Sequence, residues 1–240
     1  MARPGKTCWT RAALWAGAIG VGGLALGAGA WVAAYPRWRT WCLTWGARED
    51  EAARTYPGDD LLTEPDIVST RAIWIDAPPD AVWPWLAQMG PQRGGVYTYD
   101  WIEHLLGLDV HSVDVVLPEF QRVAVGDAQT LGTDGPTLRV AVCEPDRALV
   151  LRSDDGHWVW SFTLEQQAAG TRLFSRNRIT VPDASGPTTW AWRYLMEPGS
   201  LVMERKMLIG IKERAERLAH PKTGAREDTG GAIVDLRASA

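Results

Sequence analysis

The stretch from Ile73 to His111 constrains the fold more than any other part of the chain. Ile73 and Ile75 share one face of a predicted strand, and Ala77-Pro78-Pro79 ends that strand because proline cannot donate to a sheet ladder. Asp80 is predicted to cap the helix that follows. The apolar residues of this helix recur at helical spacing: Val82, Trp85, Leu86 and Met89.

A polar and aromatic loop separates this helix from a second short helix. The loop contains Arg93, Tyr97 and Tyr99. Asp100 is predicted to cap the second helix, and Gly107 follows its last turn. We expect the strand, the two short helices and the loop to form one wall of a cavity under a curved sheet.

The rest of the domain is predicted to be mainly β-structure. The segment 158–164 places Trp158, Trp160, Phe162 and Leu164 on one side, a period-two pattern typical of a strand with one buried face. In the segment 172–180, Leu173, Ser175, Asn177 and Ile179 share one face, and Arg172, Phe174, Arg176 and Arg178 share the other. Further strands are predicted near 67–75, 129–131, 138–143 and 149–152. Strands joined by tight turns, with helices inserted after the first, indicate an antiparallel sheet in an α+β domain.

A long helix is predicted from about Pro198 to Ala219. Its buried stripe consists of Leu201, Leu208, Ile211, Ala215 and Leu218. Glu204-Arg205-Lys206 is expected to form a solvated face of this helix. Gly210 costs the helix about 1 kcal/mol relative to alanine, so we expect either a close contact or a bend at this position.

The N-terminal part of the chain predicts a membrane anchor. Residues 1–11 form a short basic lead, and no charged residue occurs from Ala12 to Ala34. At 1.5 Å per residue such a helix is about 34 Å long, enough to cross a hydrocarbon core of about 30 Å. Tryptophans interspersed with arginines follow, as in an aromatic belt at a membrane interface. The prediction is a single-pass helix over 12–35 in the cell membrane, with a cleaved signal peptide as the alternative.

The remaining divisions follow from composition. Residues 36–60 are predicted to form an interfacial segment and linker, 61–219 the folded domain, and 220–240 a disordered tail. A net charge of −4 without a basic stripe argues against a nucleic-acid partner. Cys8, Cys42 and Cys143 are an odd number and imply no disulfide framework. Similar positive charge on both sides of the anchor leaves the membrane side open, and oligomeric state is also open.

The residues quoted first carry a resemblance to a known family. The pattern I-x-I-x-A-P-P-x-x-V-W at 73–83, followed by Q-M-G, R-G-G and Y-D-W, resembles the START-related polyketide cyclase/lipid-transport (SRPBCC) superfamily, in particular its membrane-anchored bacterial members of unassigned function. The similarity extends from about Leu61 to Leu218. It implies a helix-grip, START-like domain: a curved antiparallel sheet with two short helices and a long C-terminal helix over a cavity. The superfamily contains carriers, binding proteins and enzymes alike, so it implies no one activity.

The predicted cavity combines apolar walls with a few polar groups, which suits a hydrophobic ligand. The candidate contacts are Trp85, Met89, Tyr97, Tyr99, Trp101, His104, His111, Trp160, Phe162, Asn177, Met203 and Met207. Arg93 is a further candidate, either for a carboxylate or phosphate or as an exposed turn arginine. The spacings of His104, Asp109, His111 and Asp114 match no tight zinc pattern, so neither a metal nor a cofactor is predicted.

The sequence therefore predicts a membrane-tethered domain that binds a lipid, quinone or polyketide-like molecule without covalent chemistry. One alternative is a cyclase or dehydratase that uses Tyr97, Tyr99, Asp100 and His111. Another is a structural module whose interior is filled by its own tryptophans. Trp190, Trp192 and Tyr194 are predicted either to form a portal against the bilayer or to close the bottom of the core.

Overall fold

A computed structural model of the chain describes residues 33–98, 112–131, 135–182 and 185–221. The helices in these ranges are α1 (33–43), α2 (Glu49–Ala53), α3 (Pro79–Ala87), α4 (Gly186–Ala191) and α5 (Glu197–Ala219), and a π-helical turn, Trp192–Met196, joins the last two. Short 3-10 turns occupy Asp59–Leu61 and Pro118–Phe120. The strands are β1 (Ile67–Ile75), β2 (Ala128–Thr130), β3 (Thr137–Glu144), β4 (Ala148–Ser153), β5 (Trp158–Gln167) and β6 (Gly170–Ile179).

These strands form one antiparallel sheet in the order β1-β6-β5-β4-β3-β2. Because β1 and β2 lie at opposite edges, the chain crosses the sheet between them, and α3 lies within this crossing. A bulge between Val140 and Val142 interrupts the pairing of β3 with β4, and bulges of this kind bend a sheet.

The long helix α5 packs over the inner face of the sheet. Leu208 and Ile211 of α5 are fully buried in one apolar core with Ile75, Phe162 and Leu173 of the strands. Burial of each such side chain contributes about 1.5–3 kcal/mol to folding. The curved antiparallel sheet covered by a long C-terminal helix confirms the predicted α+β, helix-grip architecture.

Several predictions fall outside the described residues: the second short helix near 100–107, nearly all of the membrane segment 12–35, and the tail beyond 221. Among the helices of the described ranges, none combines the length and the apolar composition needed to cross a membrane.

Helix α3 begins two residues earlier than predicted. Pro78 is the N-cap residue and Pro79 the first helical residue, so Asp80 lies in the first turn and is not the cap. Proline suits this position because its backbone angle is already helical and its missing N–H has no partner there in any helix. The predicted apolar face is confirmed, with Val82 and Leu86 buried.

The segment 46–65, of which residues 46–60 were predicted to belong to the linker, is packed on the outer face of the sheet. Glu51 accepts hydrogen bonds from Arg172 Nε at 3.1 Å and Nη2 at 2.8 Å. Asp59 Oδ1 accepts one from Arg176 Nε at 2.8 Å. The outward arginines of β6 therefore have acidic partners in this segment, and the folded domain begins before the predicted boundary at residue 61.

Helix α5 differs from its predicted pattern at two positions. Glu204 is buried although a solvated face was expected, and Leu218 is exposed although it was assigned to the buried stripe. Gly210 is explained by close approach: a Cβ at this position would lie 2.9 Å from the carbonyl oxygen of Tyr97. The contact is thus with the loop after α3, and the helix runs on through Gly210 to Ala219.

Candidate functional site

A cavity of about 690 Å³ lies between the inner face of the sheet and α5. Small-molecule sites in proteins typically measure roughly 300–1,000 Å³. Strands β1, β5 and β6, helix α5, the π-helical turn and the loop 91–98 contribute to its walls. The apolar lining side chains include Leu43, Ile67, Trp158, Trp160, Ile179, Trp192, Met203 and Met207.

Stacked indoles form one wall of the cavity. The rings of Trp158 and Trp160 lie 5.5 Å apart with an angle of 17° between their planes. Strand β6 satisfies both indole N–H groups, since Trp158 Nε1 donates to Asn177 Oδ1 and Trp160 Nε1 donates to Ser175 Oγ, each at 2.9 Å. With their polar atoms bonded to the sheet, the two rings offer an apolar surface.

A buried ion pair forms the polar end of the cavity. Arg71, in the middle of β1, is 0% exposed, and Glu204 of α5 is 7% exposed. Arg71 Nη1 donates to Glu204 Oε2, which also accepts a hydrogen bond from Asn177 Nδ2 at 3.2 Å. Glu204 and Asn177 both line the cavity, so this pair brings charge and hydrogen-bonding groups to a mainly apolar space.

Arg71 also fastens α1 to the cavity wall. Its Nε and Nη2 donate to the carbonyl oxygen of Cys42 at 3.1 and 3.0 Å, and Nη2 donates to Ser200 Oγ at 3.0 Å. The last carbonyls of a helix have no partner within the helix. An arginine from β1 therefore provides a C-terminal cap for α1, and its positive charge suits that end of the helix dipole.

A second, partly buried ion pair joins α1 and α5. Glu197, which lines the cavity, accepts hydrogen bonds on both carboxylate oxygens from Arg39 of α1, at 2.8 Å from Nε and 2.6 Å from Nη2. The hydrogen bond to Glu197 raises the pKa of Arg39. Both oxygens of Glu197 are thus engaged by one guanidinium.

The hairpin between β4 and β5 contributes an exposed carboxylate. Asp155 Oδ1 accepts hydrogen bonds from Ser153 Oγ at 2.5 Å and from the amide of His157 at 2.9 Å. The bond from Ser153, followed by that from the His157 amide, lowers the pKa of Asp155. Its charge is committed to shaping the turn, which places Ser153, Asp155 and His157 around the cavity.

An apolar rim adjoins the cavity. Trp192 and Met196 of the π-helical turn line it, while Trp190 and Leu195 beside them are 62% and 66% exposed. The ring of Tyr194 stacks on Tyr35 of α1 at 4.9 Å. The residues 190–196 therefore do not close the core bottom, because their side chains lie partly on the cavity wall and partly on the surface.

The predicted contact residues divide into three groups. Those on the cavity wall are Trp160, Asn177, Met203 and Met207. Those in the solid core, which do not line the cavity, are Trp85, Met89, Tyr97 and Phe162. Those outside the described residues are Tyr99, Trp101, His104 and His111, together with Asp100. Periodicity identifies a buried face but not which of the buried residues border a void.

Tyr97 is a structural residue. Its backbone is left-handed, with φ of 58°, and its hydroxyl donates to the carbonyl oxygen of Trp85 at 3.1 Å. The guanidinium of Arg214 lies 4.7 Å from its ring centroid. Burial raises the pKa of Tyr97 to about 12. A phenol that is buried and bonded to the backbone is poorly placed for the acid–base role considered above.

Arg93 fits neither of its two predicted roles. It is half-buried, and its Nη2 donates to the carbonyl oxygens of Ala87 and Phe120, both at 3.0 Å. Its guanidinium also lies 4.9 Å from the ring of Phe120. Arg93 thus ties the end of α3 to the turn at 118–120 and does not line the cavity.

The sequence analysis missed the charged residues of the site, Arg71, Glu197 and Glu204. The sequence contained one signal for Arg71. It lies two and four residues before Ile73 and Ile75, so its side chain is on the same, inner face of β1. An arginine on a buried face requires a carboxylate partner. Within the described ranges, no cluster of three or more His, Cys, Asp or Glu side chains could hold a metal ion.

No family model matches the sequence, and no curated protein matches it. Solved structures do match. A protein from Mesorhizobium loti is 20% identical with a TM-score of 0.37, covering 63% of this chain and 96% of that one. A polyketide cyclase-like protein from Corynebacterium glutamicum is 17% identical with a TM-score of 0.35, covering 66% and 97%. A Bacillus halodurans protein is 13% identical with a TM-score of 0.36, covering 62% and 94%.

These structures are similar to this chain at identities of 20% or less, and each of the three TM-scores is below 0.5. Likeness at such identities and TM-scores says nothing about the ligand or the chemistry of this chain.

Proposed function

We propose that this domain binds a hydrophobic small molecule, such as a lipid, a quinone or a polyketide-like compound, and does not alter it covalently. The observation that carries the proposal is the cavity of about 690 Å³ with its stacked Trp158 and Trp160 wall. A void lined mainly by large apolar side chains, together with a smaller number of polar groups, is typical of sites for hydrophobic ligands.

The test is direct extraction of the bound compound. The full-length chain, purified in a mild detergent, is expected to carry a lipophilic molecule that native mass spectrometry detects as added mass. The substitution Met203→Trp places a larger side chain on the cavity wall, and the expected result is loss of most of this mass.

Val202→Trp provides the matched control. Val202 is the neighbouring residue of α5 and is exposed, so the same new side chain is expected to leave the bound mass unchanged. Thermal melting of both variants separates a filled cavity from a damaged fold. Wild-type protein that is repeatedly empty, or equal retention by the two variants, contradicts the proposal.

We also infer that the domain works at the cell membrane, held by a single-pass helix over 12–35. Two observations support this inference. The uncharged run that ends at Ala34 leads directly into α1, and Leu43 at the end of α1 lines the cavity. The rim beside the cavity exposes Trp190 and Leu195. A tether raises the effective concentration of a ligand that itself resides in the bilayer.

Membrane fractionation tests the tether. The full-length chain is expected to stay in the membrane pellet after an alkaline carbonate wash and to be released only by detergent. Intact-mass measurement of the same material is expected to show an uncleaved N-terminus. A mature chain found free in solution and beginning after Ala34 contradicts the anchor and leaves the cavity proposal standing.

A further inference from the structure

The two carboxylates of α5 that line the cavity differ in how their oxygens are satisfied. Glu197 and Glu204 are 3% and 7% exposed. Both oxygens of Glu197 accept hydrogen bonds from Arg39. On Glu204, only Oε2 is engaged, by Arg71 and Asn177. Among the described residues, Glu204 Oε1 has no hydrogen-bond partner.

A buried acceptor on a charged group without a donor is costly to the folded state. Native proteins usually fill such positions with a protein donor, an ordered water or a ligand. Oε1 itself is buried, but Glu204 lines the cavity, so a turn of its carboxylate toward a bound molecule would provide the missing donor. We propose that Glu204 Oε1 is the recognition point for one hydrogen-bond donor on the ligand.

The charges at this end of the cavity select the donor. Arg39 and Arg71 balance Glu197 and Glu204, so the four side chains together are neutral. A ligand carboxylate or phosphate would place an uncompensated negative charge beside two buried carboxylates, and an ammonium would leave an uncompensated positive charge. A neutral hydroxyl satisfies Oε1 and leaves the balance intact.

The ligand class is therefore an apolar body that carries a neutral hydroxyl group. This inference rests on the proposed function. The apolar part packs against Trp158, Trp160 and Met203, and the hydroxyl reaches the Arg71–Glu204 pair. Asn177 joins the two regions, since its Oδ1 accepts from the Trp158 indole and its Nδ2 donates to Glu204.

A competition between two probes tests the hydroxyl. The full-length chain in detergent is incubated with an equimolar mixture of 1-tetradecanol and tetradecyl methyl ether, and the retained molecules are quantified by mass spectrometry. The methyl ether has a similar apolar body but no donor. A hydrogen bond to a charged acceptor corresponds to a preference for the alcohol of roughly tenfold to a hundredfold. In the Met203→Trp variant the cavity is filled, so the ratio of alcohol to ether that it retains is the background set by the detergent micelle.

The substitution Glu204→Gln reverses the polarity of this position. Its amide oxygen can accept from Arg71, which leaves the amide nitrogen, a donor, at the place of Oε1. The preference for the alcohol is therefore expected to fall to near the background ratio. Glu213→Gln makes the same change at an exposed position of α5 and is expected to keep the wild-type ratio.

Each outcome has one meaning. Equal retention of alcohol and ether by the wild type overturns the inference, as does tighter binding of tetradecanoate than of the alcohol, and neither affects the proposed function. An unchanged ratio in a folded Glu204→Gln variant also overturns it. If that variant does not fold, the wild-type comparison of alcohol, ether and tetradecanoate decides alone. If none of the three probes is retained above background, this inference is overturned, and the proposed function fails with it only where the purified wild type also carries no lipophilic mass.

Discussion

Arg71→Met is expected to be among the most destabilising single substitutions in this domain. The side chain is fully buried, and it donates to Glu204, to Ser200 and twice to the carbonyl oxygen of Cys42. Methionine has a long apolar side chain but replaces none of these bonds. The substitution leaves Glu204 as a buried charge without a cation.

The structure sets the magnitude of this effect. Breaking a buried ion pair by removal of one partner costs about 3–5 kcal/mol. A total stability of about 5–15 kcal/mol is usual for a domain, so the loss is a large fraction of it. With a urea slope of about 2 kcal/mol per molar, the unfolding midpoint is expected to fall by about 2 M.

A matched control exists on the same sheet. Arg139 of β3 donates to both carboxylate oxygens of Asp154 at 3.1 Å, but these two side chains are 49% and 48% exposed. Exposed pairs of this kind contribute about 0–1 kcal/mol. Arg139→Met removes the same residue type from a paired position on a strand, and its midpoint is expected to change by less than about 0.5 M.

The assay is urea unfolding of the full-length chain in mild detergent, followed by tryptophan fluorescence. A double-mutant cycle of Arg71→Met with Glu204→Met isolates the pair, because the double variant has neither buried charge. The coupling energy is expected to be about 2–3 kcal/mol, against about 0–1 kcal/mol for Arg139 with Asp154. Additive behaviour at Arg71 and Glu204, or equal midpoints for the two single arginine variants, refutes this account of the buried pair.

Two further predictions concern pH. The unfolded chain releases a tyrosine proton near pH 10, whereas Tyr97 in the folded protein holds its proton to about 12. The free energy of unfolding should therefore decrease as the pH rises from about 10 to about 12, and Tyr97→Phe should lack the part of this decrease that comes from Tyr97. If the urea midpoint changes equally between pH 9 and pH 11 in the wild type and in Tyr97→Phe, the prediction is wrong. Burial alone would raise the pKa of Glu51, but hydrogen bonds from Arg172 and the Arg48 amide lower it overall. The contribution of Glu51 to the free energy of unfolding is present above the ordinary pKa of a glutamate and is lost as the pH falls through the pKa of Glu51 in the folded protein. Glu51→Gln should therefore weaken the dependence of the urea midpoint on acid pH, and identical midpoints for the variant and the wild type across this pH range count against the prediction.

Alternation in the sequence predicted which side chains of a strand face the core, but the expectation that β5 has only one buried face was wrong, because Val159, Ser161 and Thr163 are buried as well. Strand β1 has the predicted bounds, and β5 places Trp158, Trp160, Phe162 and Leu164 toward the core as expected. This succeeds because strand periodicity is a local property, so a few consecutive residues determine which side faces inward.

The charged part of the site depends on contacts that no local pattern contains. Glu204 lies on α5 directly before Arg205 and Lys206, and its partner Arg71 is 133 residues away in sequence. From the sequence, the carboxylate is equally compatible with a solvated face. One inference would have found this ion pair: the inward-facing arginine of β1 needs a carboxylate partner, and the helix that covers the sheet can supply one.

The packing of 46–65 on the sheet has a similar cause. Polar and acidic composition predicted a linker, but β6 presents Arg172, Arg176 and Arg178 on its outer face. Strand β6 lies between β1 and β5 in the sheet, and three cations on one face of such a strand need negatively charged partners. Glu51 and Asp59 supply them, so the composition that resembles a flexible linker here reflects charge complementarity.

The same charge pairs determine how α1 is attached to the cavity. Two guanidinium groups hold α1 to α5, Arg39 through Glu197 and Arg71 through the Cys42 carbonyl oxygen and Ser200. Buried hydrogen bonds fix distance and direction, unlike apolar contacts, which can slide. In the proposed tethered arrangement, the chain leaving the membrane therefore enters a rigid joint at 33–43. The tether proposal therefore predicts that the rim at 190–196, which the Tyr35–Tyr194 contact joins to α1, faces the bilayer.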